Sequence, residues 1–280
     1  MLSVITVNYK TASHLERMLI SLFKYHQDDR VEVFVVENNS GDDLSSLESQ
    51  FPQVTFLYSV RNRGFAGGCN MALRLATGEF CVLVNPDIRF QSNALYQIED
   101  AMQQHPKVGI GGICLLYEDR TQQKCVWRFP GVWDQLLVLS KIPHLFHCHA
   151  IDAWTMKNFD YSKDAKVDQV MGAFFCIRRN VLEEIGLLDE KFFMWYEEVD
   201  FAKRAYDHGW LTYYFSQISA IHKGGSSFEK ILTVKKQAMI RQSLRRYMRR
   251  HKGIIAWTLF TLGEPFFILL ALMASIIKPR

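Results

Sequence analysis

The sequence predicts an α/β fold: a mixed, mostly parallel sheet with helices on both faces, followed by membrane-associated helices at the C-terminal end. Three observations predict it. Short β-branched, apolar runs alternate with segments of helical period from Leu2 to Val84. Each run stops in a polar turn, and in open α/β sheets the carboxyl ends of the strands are where ligands bind. The last stretch differs in kind, with an arginine-rich segment leading into an almost wholly apolar one.

Taken in order, Leu2-Ser3-Val4-Ile5-Thr6-Val7-Asn8-Tyr9 reads as a first strand. Thr11 or Ser13 is placed to cap a helix whose apolar residues, Leu15, Met18, Leu19 and Leu22, follow a helical period. Val31 to Val36 is a second strand, ending in the polar turn Glu37 to Asp42, and Val54 to Tyr58 is a third. Arg61 to Gly68 is a Gly-containing loop, followed by a short helix over 70–76. Cys81-Val82-Leu83-Val84 reads as a strand buried on both faces, and it stops at Asn85-Pro86-Asp87. The alternation then weakens. Val108 to Leu116 is expected as a strand, and 122–167 shows no clear period. Strands are expected again at 170–177 and 210–215, with helices at 180–185 and 197–208 stopped by Gly186 and Gly209.

In the tail, Ile240, Leu244, Tyr247 and Met248 share one helical face beside Arg241, Arg245, Arg246, Arg249, Arg250 and Lys252. Ile254 to Ile277 is long enough to cross a bilayer, but Gly263, Glu264 and Pro265 interrupt it. A carboxylate at that depth costs roughly 2–3 kcal/mol or more, so two half-helices lying in one leaflet fit at least as well. A basic amphipathic helix feeding this segment suits an anionic membrane surface. Packing helices of a soluble protein are the alternative. The expected organisation is a catalytic domain over 1–230 and a membrane-associated tail over 231–280.

Composition narrows the class. The chain has 280 residues, 49% of them hydrophobic, and a net charge of +4, which excludes a disordered polymer. Its six cysteines form no C-x-x-C pair, as expected of free thiols in a reducing compartment. The N-terminus shows no basic and apolar leader pattern, so no secretory signal is expected. The basic segment adjoins an apolar tail rather than a recognition motif, so no nucleic-acid partner is expected.

Six polar clusters carry the candidate chemistry. Thr6 and Asn8, Glu37 and Asn38, the Gly loop 61–68, and Asn85 with Asp87 lie at strand ends that converge on one crevice. Singly, each also reads as a turn or a cap. Glu37 and Asn38 offer acceptors to a nucleobase N–H. The Gly loop allows close approach to a phosphate or base, but it is neither a G-x-G-x-x-G fingerprint nor a P-loop. Glu197, Glu198 and Asp200 open a helix, where the dipole favours acids in any case. Their neighbours Phe192, Phe193, Met194, Trp195 and Tyr196 are apolar, the setting in which a general base is tuned upward. His222, expected in a Gly-rich loop after the last strand, is suited to completing a divalent metal site at the Asp-bearing rim.

In order along residues 1–225 stand Val-Ile-Thr-Val-Asn-Tyr, Val-Glu-Asn-Asn-Ser, Asn62-x-Gly-Phe-Ala-Gly-Gly-x-Asn70, Asn85-Pro-Asp87, Gly172-Ala-Phe-Phe and Phe-Phe-Met-Trp-Tyr-Glu-Glu-Val-Asp. Together they resemble a family 2 glycosyltransferase of the GT-A fold, in its rhamnosyltransferase-like branch. The resemblance implies an inverting, metal-dependent transfer from a nucleotide sugar, foremost dTDP-L-rhamnose, to a lipid-linked or cell-surface glycan. It implies that Asp87 binds Mg²⁺ or Mn²⁺ with His222, and that Asn85 lies near the ribose. By the same matching, Glu37 and Asn38 contact base and ribose, Asn62, Gly64, Phe65 and Asn70 form the donor loop, and Glu198 is the catalytic base. Trp195, Glu197 and Asp200 would shape the acceptor side. Two positions depart from the family pattern: Asn85 stands where an Asp is usual, and the base is Glu rather than Asp. The implied location is the cytoplasmic face of a bacterial inner membrane. A homo-oligomer is compatible with the sequence, which fixes no stoichiometry. UDP-galactofuranose or UDP-N-acetylhexosamine donors, a processive synthase and a non-catalytic glycan-assembly scaffold are the competing readings. Gln242-Ser243-Leu244-Arg245-Arg246 only partly matches a synthase Q-x-x-R-W motif.

Overall fold

The computed structural model describes residues 1–144, 146–224 and 233–277. Strands β1 (Leu2–Asn8), β2 (Val31–Glu37), β3 (Val54–Tyr58) and β4 (Phe80–Val84) are parallel, in the order β3-β2-β1-β4. Every residue of β1 and β4 is buried, as unbroken apolar runs require of strands covered on both faces. Helix α1 (Ala12–Tyr25) buries Leu15, Met18, Leu19 and Leu22, the positions its period marks. Helix α2 (Ser45–Gln50) follows β2. Because the chain runs from β1 to β2 and β3 on one side and returns to β4 on the other, β1 and β4 flank a topological switch point.

Helix α3 (Gly64–Leu73) starts six residues earlier than expected and takes in most of the Gly loop. The reason is packing. A Cβ on Gly68 would meet Val7 Cγ1 at 2.8 Å, so glycine there lets α3 press against β1. These glycines serve a helix–sheet contact more than a free loop.

The second half of the sheet is mixed. Strand β5 (Ile88–Phe90) and helix α4 (Ala94–Gln104) precede β6 (Val108–Leu116). The stretch expected to be irregular holds β7 (Val126–Trp127), α5 (Val132–Leu139), a 3-10 turn at 142–144, α6 (His149–Trp154) and β8 (Ala165–Val167). The single strand expected over 170–177 is two. Strand β9 (Gln169–Val170) pairs with β7, and β10 (Phe174–Arg178) runs antiparallel between β4 and β6. Helices α7 (Arg179–Ile185) and α8 (Glu197–Asp207) lead to β11 (Leu211–His222). The sheet continues β4-β10-β6-β11-β5, with β8 on β11. β11 is twice its expected length because its register with β6 shifts between Phe215 and Ser219. That irregularity hides the polar Ser216-Gln217 inside a strand, so His222 is the strand's last residue rather than part of a loop.

Helices α9 (Thr233–His251), α10 (Gly253–Leu262) and α11 (Glu264–Ile277) form the tail. The apolar face of α9 is turned inward. Leu244, Tyr247 and Met248 share a small core with Phe192 and Val199 beside α8 and with Ala256, Phe260 and Phe267. Glu264 is met by Arg241 Nε at 2.9 Å and Arg245 Nη1 at 2.5 Å, which offsets the burial of its charge. The apolar run bends by 47° at Gly263, and among the described residues no single helix is long and apolar enough to cross a membrane. The expected boundary at residues 230 and 231, and residues 225 and 226 of the Gly-rich loop expected around His222, lie outside the described residues.

Candidate active site

The β1–β4 half of the crevice is built from polar groups that hold one another. Asn8 is fully buried; its amide nitrogen donates to Asp42 Oδ2 at 2.9 Å, and its Oδ1 accepts from Thr11 Oγ1 at 2.9 Å. Glu37 accepts from the backbone N–H groups of Asn39 (2.8 Å) and Ser40 (2.7 Å) and from the Ser40 hydroxyl, fixing its own turn. Asn38 accepts from Arg63 N at 2.9 Å and donates to Gly64 O at 3.0 Å and Asn62 Oδ1 at 3.2 Å. Asn70 is pinned to Leu188 through both ends of its amide, at 2.9 and 3.2 Å. Asn8, Glu37, Asn38 and Asn70 are each buried and hydrogen-bonded within the protein, and so brace this half of the crevice. Thr6 differs, since its buried Oγ1 has no partner. Asn62, Phe65 and Asn85 remain partly exposed at the crevice.

Gly64 joins this half to the next. Its φ is +72°, and a Cβ there would lie 2.0 Å from Phe193 O. The next residue's amide, Phe65 N, donates to the same carbonyl at 3.1 Å. The Gly-containing segment 61–68 and the segment carrying Glu198 are thus fastened back to back.

Beyond β4, Asn85 N donates to Ala173 O at 2.9 Å, and the turn presents Asp87 to the end of β11. Asp87 Oδ1 lies 3.4 Å from His222 Nε2, with both side chains less than a tenth exposed. His222 Nδ1 bonds to Gln123 Oε1 at 2.7 Å. The bond at Nδ1 fixes the ring so that Nε2 faces Asp87. An oxygen and an imidazole nitrogen so arranged fit a divalent cation, with Gln123 fixing the ring. Gln123 was not anticipated. It lies in the stretch without period, and nothing in its local sequence marks it.

Met171–Ala173, the break between β9 and β10, passes under Glu198: a Cβ on Gly172 would lie 3.4 Å from Glu198 Cγ. Trp195 and Tyr196 precede α8 with φ of +63° and +71°, two consecutive non-glycine residues in the left-handed region. This turn aims Glu198 across Gly172 and turns the Tyr196 hydroxyl to Gln135 Oε1 at 3.0 Å. Glu197 Oε2 and Glu198 Oε2 are both buried without a partner. Burial raises the Glu198 carboxyl above the usual carboxylate range. Burial raises Glu197 further, with the Glu198 charge adding to it.

Two residues expected on the acceptor side are not there. Glu197 is buried close enough to Cys69 of α3 to raise that thiol, so it faces the sheet side of α8. Asp200 is fully buried and tied to Arg204 Nε (2.9 Å) and His251 Nε2 (2.8 Å), with Arg250 beside it. Alternation of side chains round a helix sends residues 197 and 200 to faces other than that of 198. Asp200 instead anchors α9 to α8. Trp195 is partly exposed at the strained turn. A separate His147, His149 and Asp152 group has ligand atoms within 4.8 Å, but Asp152 Oδ2 is already met by His147 at 2.6 Å and Lys157 at 3.2 Å.

Glu198 thus packs over Gly172, next to Ala173, whose carbonyl holds the Asn85 turn that carries Asp87; comparison with known proteins shows which class such a crevice belongs to. The model of glycosyl transferase family 2 matches residues 3–186. The chain belongs to that family and is a glycosyltransferase. It is 23% identical over 233 residues, 79% of this chain and 75% of the relative, to an N-acetylglucosaminyl-diphospho-decaprenol L-rhamnosyltransferase of Mycobacterium tuberculosis. It is 27% identical over 214 residues to a low-salt glycan biosynthesis hexosyltransferase of Haloferax volcanii, covering 73% of this chain and 61% of that one. Its fold is shared with a mannosyltransferase from Pyrobaculum calidifontis in complex with GDP-Man and Mn²⁺, at a TM-score of 0.62 and 19% identity. That match covers all of this chain and 76% of the other.

Proposed function

We propose that this glycosyltransferase moves L-rhamnose from dTDP-L-rhamnose onto a lipid-linked glycan, in one displacement that inverts the anomeric centre. The observation that carries the reading is Glu198, a half-buried carboxylate with one buried, partnerless oxygen and a raised affinity for protons, set over Gly172 beside the Asn85 turn. Such a group takes the proton of an acceptor hydroxyl as it attacks. Asn85 and the partly exposed Asn62 and Phe65 would border the donor, while the braces Asn8, Glu37, Asn38 and Asn70 keep that border rigid. Asp87 and His222 would hold Mg²⁺ or Mn²⁺, which when bound neutralises charge on the leaving diphosphate. Trp195 offers an aromatic face to the acceptor sugar.

The acceptor and the rhamnosyl donor draw support from the Mycobacterium relative's name, and the lipid link also from the tail, whose exposed Ile255, Leu262 and Phe266 suit a bilayer. In this reading the protein works at the cytoplasmic face of a bacterial membrane. A hexosyl donor is the second reading, favoured by the Haloferax relative. A screen of dTDP-, UDP- and GDP-sugars with Mn²⁺ separates the two by which nucleotide is released. The Glu198→Gln variant is expected to keep donor binding and lose transfer by about 10²–10⁴-fold. Turnover near wild type would remove Glu198 as the base.

A further inference from the structure

The outer edge of the sheet carries a concavity that none of the crevice residues lines. It has a volume of about 590 Å³ and lies between α1, β5 and the turn that follows β6. Arg17, Lys24, Arg89 and Arg120 line it with Ile20, Tyr25 and Gln91, and no carboxylate does. These cations come from three separate parts of the chain, and the fold explains how they meet. Arg17, Ile20 and Lys24 follow a helical period along one stripe of α1. That helix lies against β5, the last strand in the sheet order, where Ser21 Oγ accepts from Phe90 N at 3.0 Å. Ile88 and Phe90 are buried and Arg89 between them is exposed, as alternation along a strand requires. Leu116, Ile221 and Arg89 stand side by side across β6, β11 and β5. The turn that leaves β6 after Leu116 thus starts level with Arg89, and it carries Arg120.

Among the described residues no carboxylate pairs with Arg17, Lys24, Arg89 or Arg120. Neighbouring acids are turned to other partners. Asp119 accepts from Thr121 N at 2.9 Å and Thr121 Oγ1 at 2.6 Å, and Asp28 is bonded to Arg30 and to the Tyr96 hydroxyl. Lys24 Nζ rests 5.1 Å from the centroid of the Tyr25 ring. A guanidinium keeps its charge at any ordinary pH. Three of them gathered without a carboxylate repel one another and cannot relieve the repulsion by losing protons. An anion relieves it. The forked N–H edge of arginine matches phosphoryl oxygens, and three forks arriving from three elements match several phosphoryl groups better than one. The volume also exceeds what a single phosphate fills. A concave site favours a soluble anion over a bilayer, whose broad surface does not enter it.

We propose that this edge cleft binds the phosphate chain of a soluble di- or triphosphate, borne by a nucleotide or by inorganic polyphosphate. The site is independent of the glycosyl-transfer reading, since it uses no residue placed in the crevice. The full chain in non-ionic detergent, in buffer stripped of divalent ions, is titrated by calorimetry with orthophosphate, tripolyphosphate and ATP. Tripolyphosphate is expected to bind at least tenfold tighter than orthophosphate. The variants R89E and R120E, each at an exposed position, are expected to weaken it at least tenfold with an unchanged melting temperature. R249E, the same charge reversal on α9, is expected to bind as wild type does. Tighter binding of ATP than of tripolyphosphate assigns the chain to a nucleotide, with Ile20 and Tyr25 beside its base; weaker binding assigns it to inorganic polyphosphate. Unchanged binding by folded R89E and R120E would overturn the proposal. An equal loss in R249E would overturn it too, by placing the anion on the basic tail. Orthophosphate binding as tightly as tripolyphosphate would reduce the cleft to a single-anion contact and overturn it. Displacement of tripolyphosphate by equimolar phosphatidylglycerol would do the same, by marking a headgroup surface.

Discussion

The two sides of the crevice treat buried polar groups in opposite ways. On the β1–β4 side Asn8, Glu37, Asn38 and Asn70 are hydrogen-bonded to neighbouring protein groups, and the exceptions there, Thr6 Oγ1 and Arg63 Nε, are a hydroxyl and a guanidinium nitrogen rather than carboxylates. On the α8 side two adjacent carboxylates each keep a buried oxygen without a partner, behind a turn with two left-handed non-glycine residues. An unsatisfied buried polar atom costs about 1–3 kcal/mol, and backbone strain of this sort a similar amount. A fold retains such costs where the group has work to do with a ligand. In the reading proposed above, the braced side shapes the pocket and the α8 side carries the proton transfer.

The contrast breaks most readily at its fastening points. Asp200 is the largest. Burial opposes its charge, but His251, Arg204 and Arg250 outweigh that and hold its carboxyl below the usual range. Removing one partner of a buried ion network costs about 3–5 kcal/mol, so Asp200→Ala is expected to lower stability by that amount in urea melts and to loosen α9 from α8. The pH dependence follows from the depressed value. The stabilisation is complete above the unfolded pKa of about 3.9 and is lost as pH falls through the lower folded one, and the variant lacks this acid-sensitive increment. An unchanged melt would show that α9 is held by its apolar core alone. Gly64→Ala comes next. It places a Cβ against Phe193 O at a positive φ, and overpacking with strain is worth about 2–4 kcal/mol. Because Gly64 fastens donor loop to base segment, both donor affinity and transfer are expected to fall. A variant weakened in stability but wild type in both would separate the two sides.

How much of this was legible depended on whether the signal was local. β1, β2, β4 and α1 announced themselves because burial on both faces or on one stripe writes a period into the sequence. Asp87 and Glu198 were visible as carboxylates at element ends. The roles of Asn38 and Asn70 were not, since each is defined by partners 25 and 118 positions away. Gln123 and the end of β11 were hidden for the same reason, one by an aperiodic stretch and one by a register shift. Helical phase alone would have separated Glu198 from Glu197 and Asp200, had the face of α8 been known.

The smallest effect tests the α8 side directly. Burial raises Glu198, and the Glu197–Glu198 pair titrates together, so the acid limb of the transfer rate belongs to the pair. A base acts only when deprotonated. The rate is therefore expected to climb with pH through an apparent pKa above the unperturbed glutamate value of about 4.3. The matching stability term has the opposite slope: a carboxyl raised by folding stabilises most below its unfolded pKa, and that contribution is lost as pH rises through the folded one. A pH–rate profile and a pH–stability profile on the same protein should therefore cross, activity rising where this stability term declines. A limb at the ordinary carboxylate value would mean that ligand charges or solvent satisfy Glu198 in the working enzyme. The difference between the two sides of the crevice would then belong to the free protein alone.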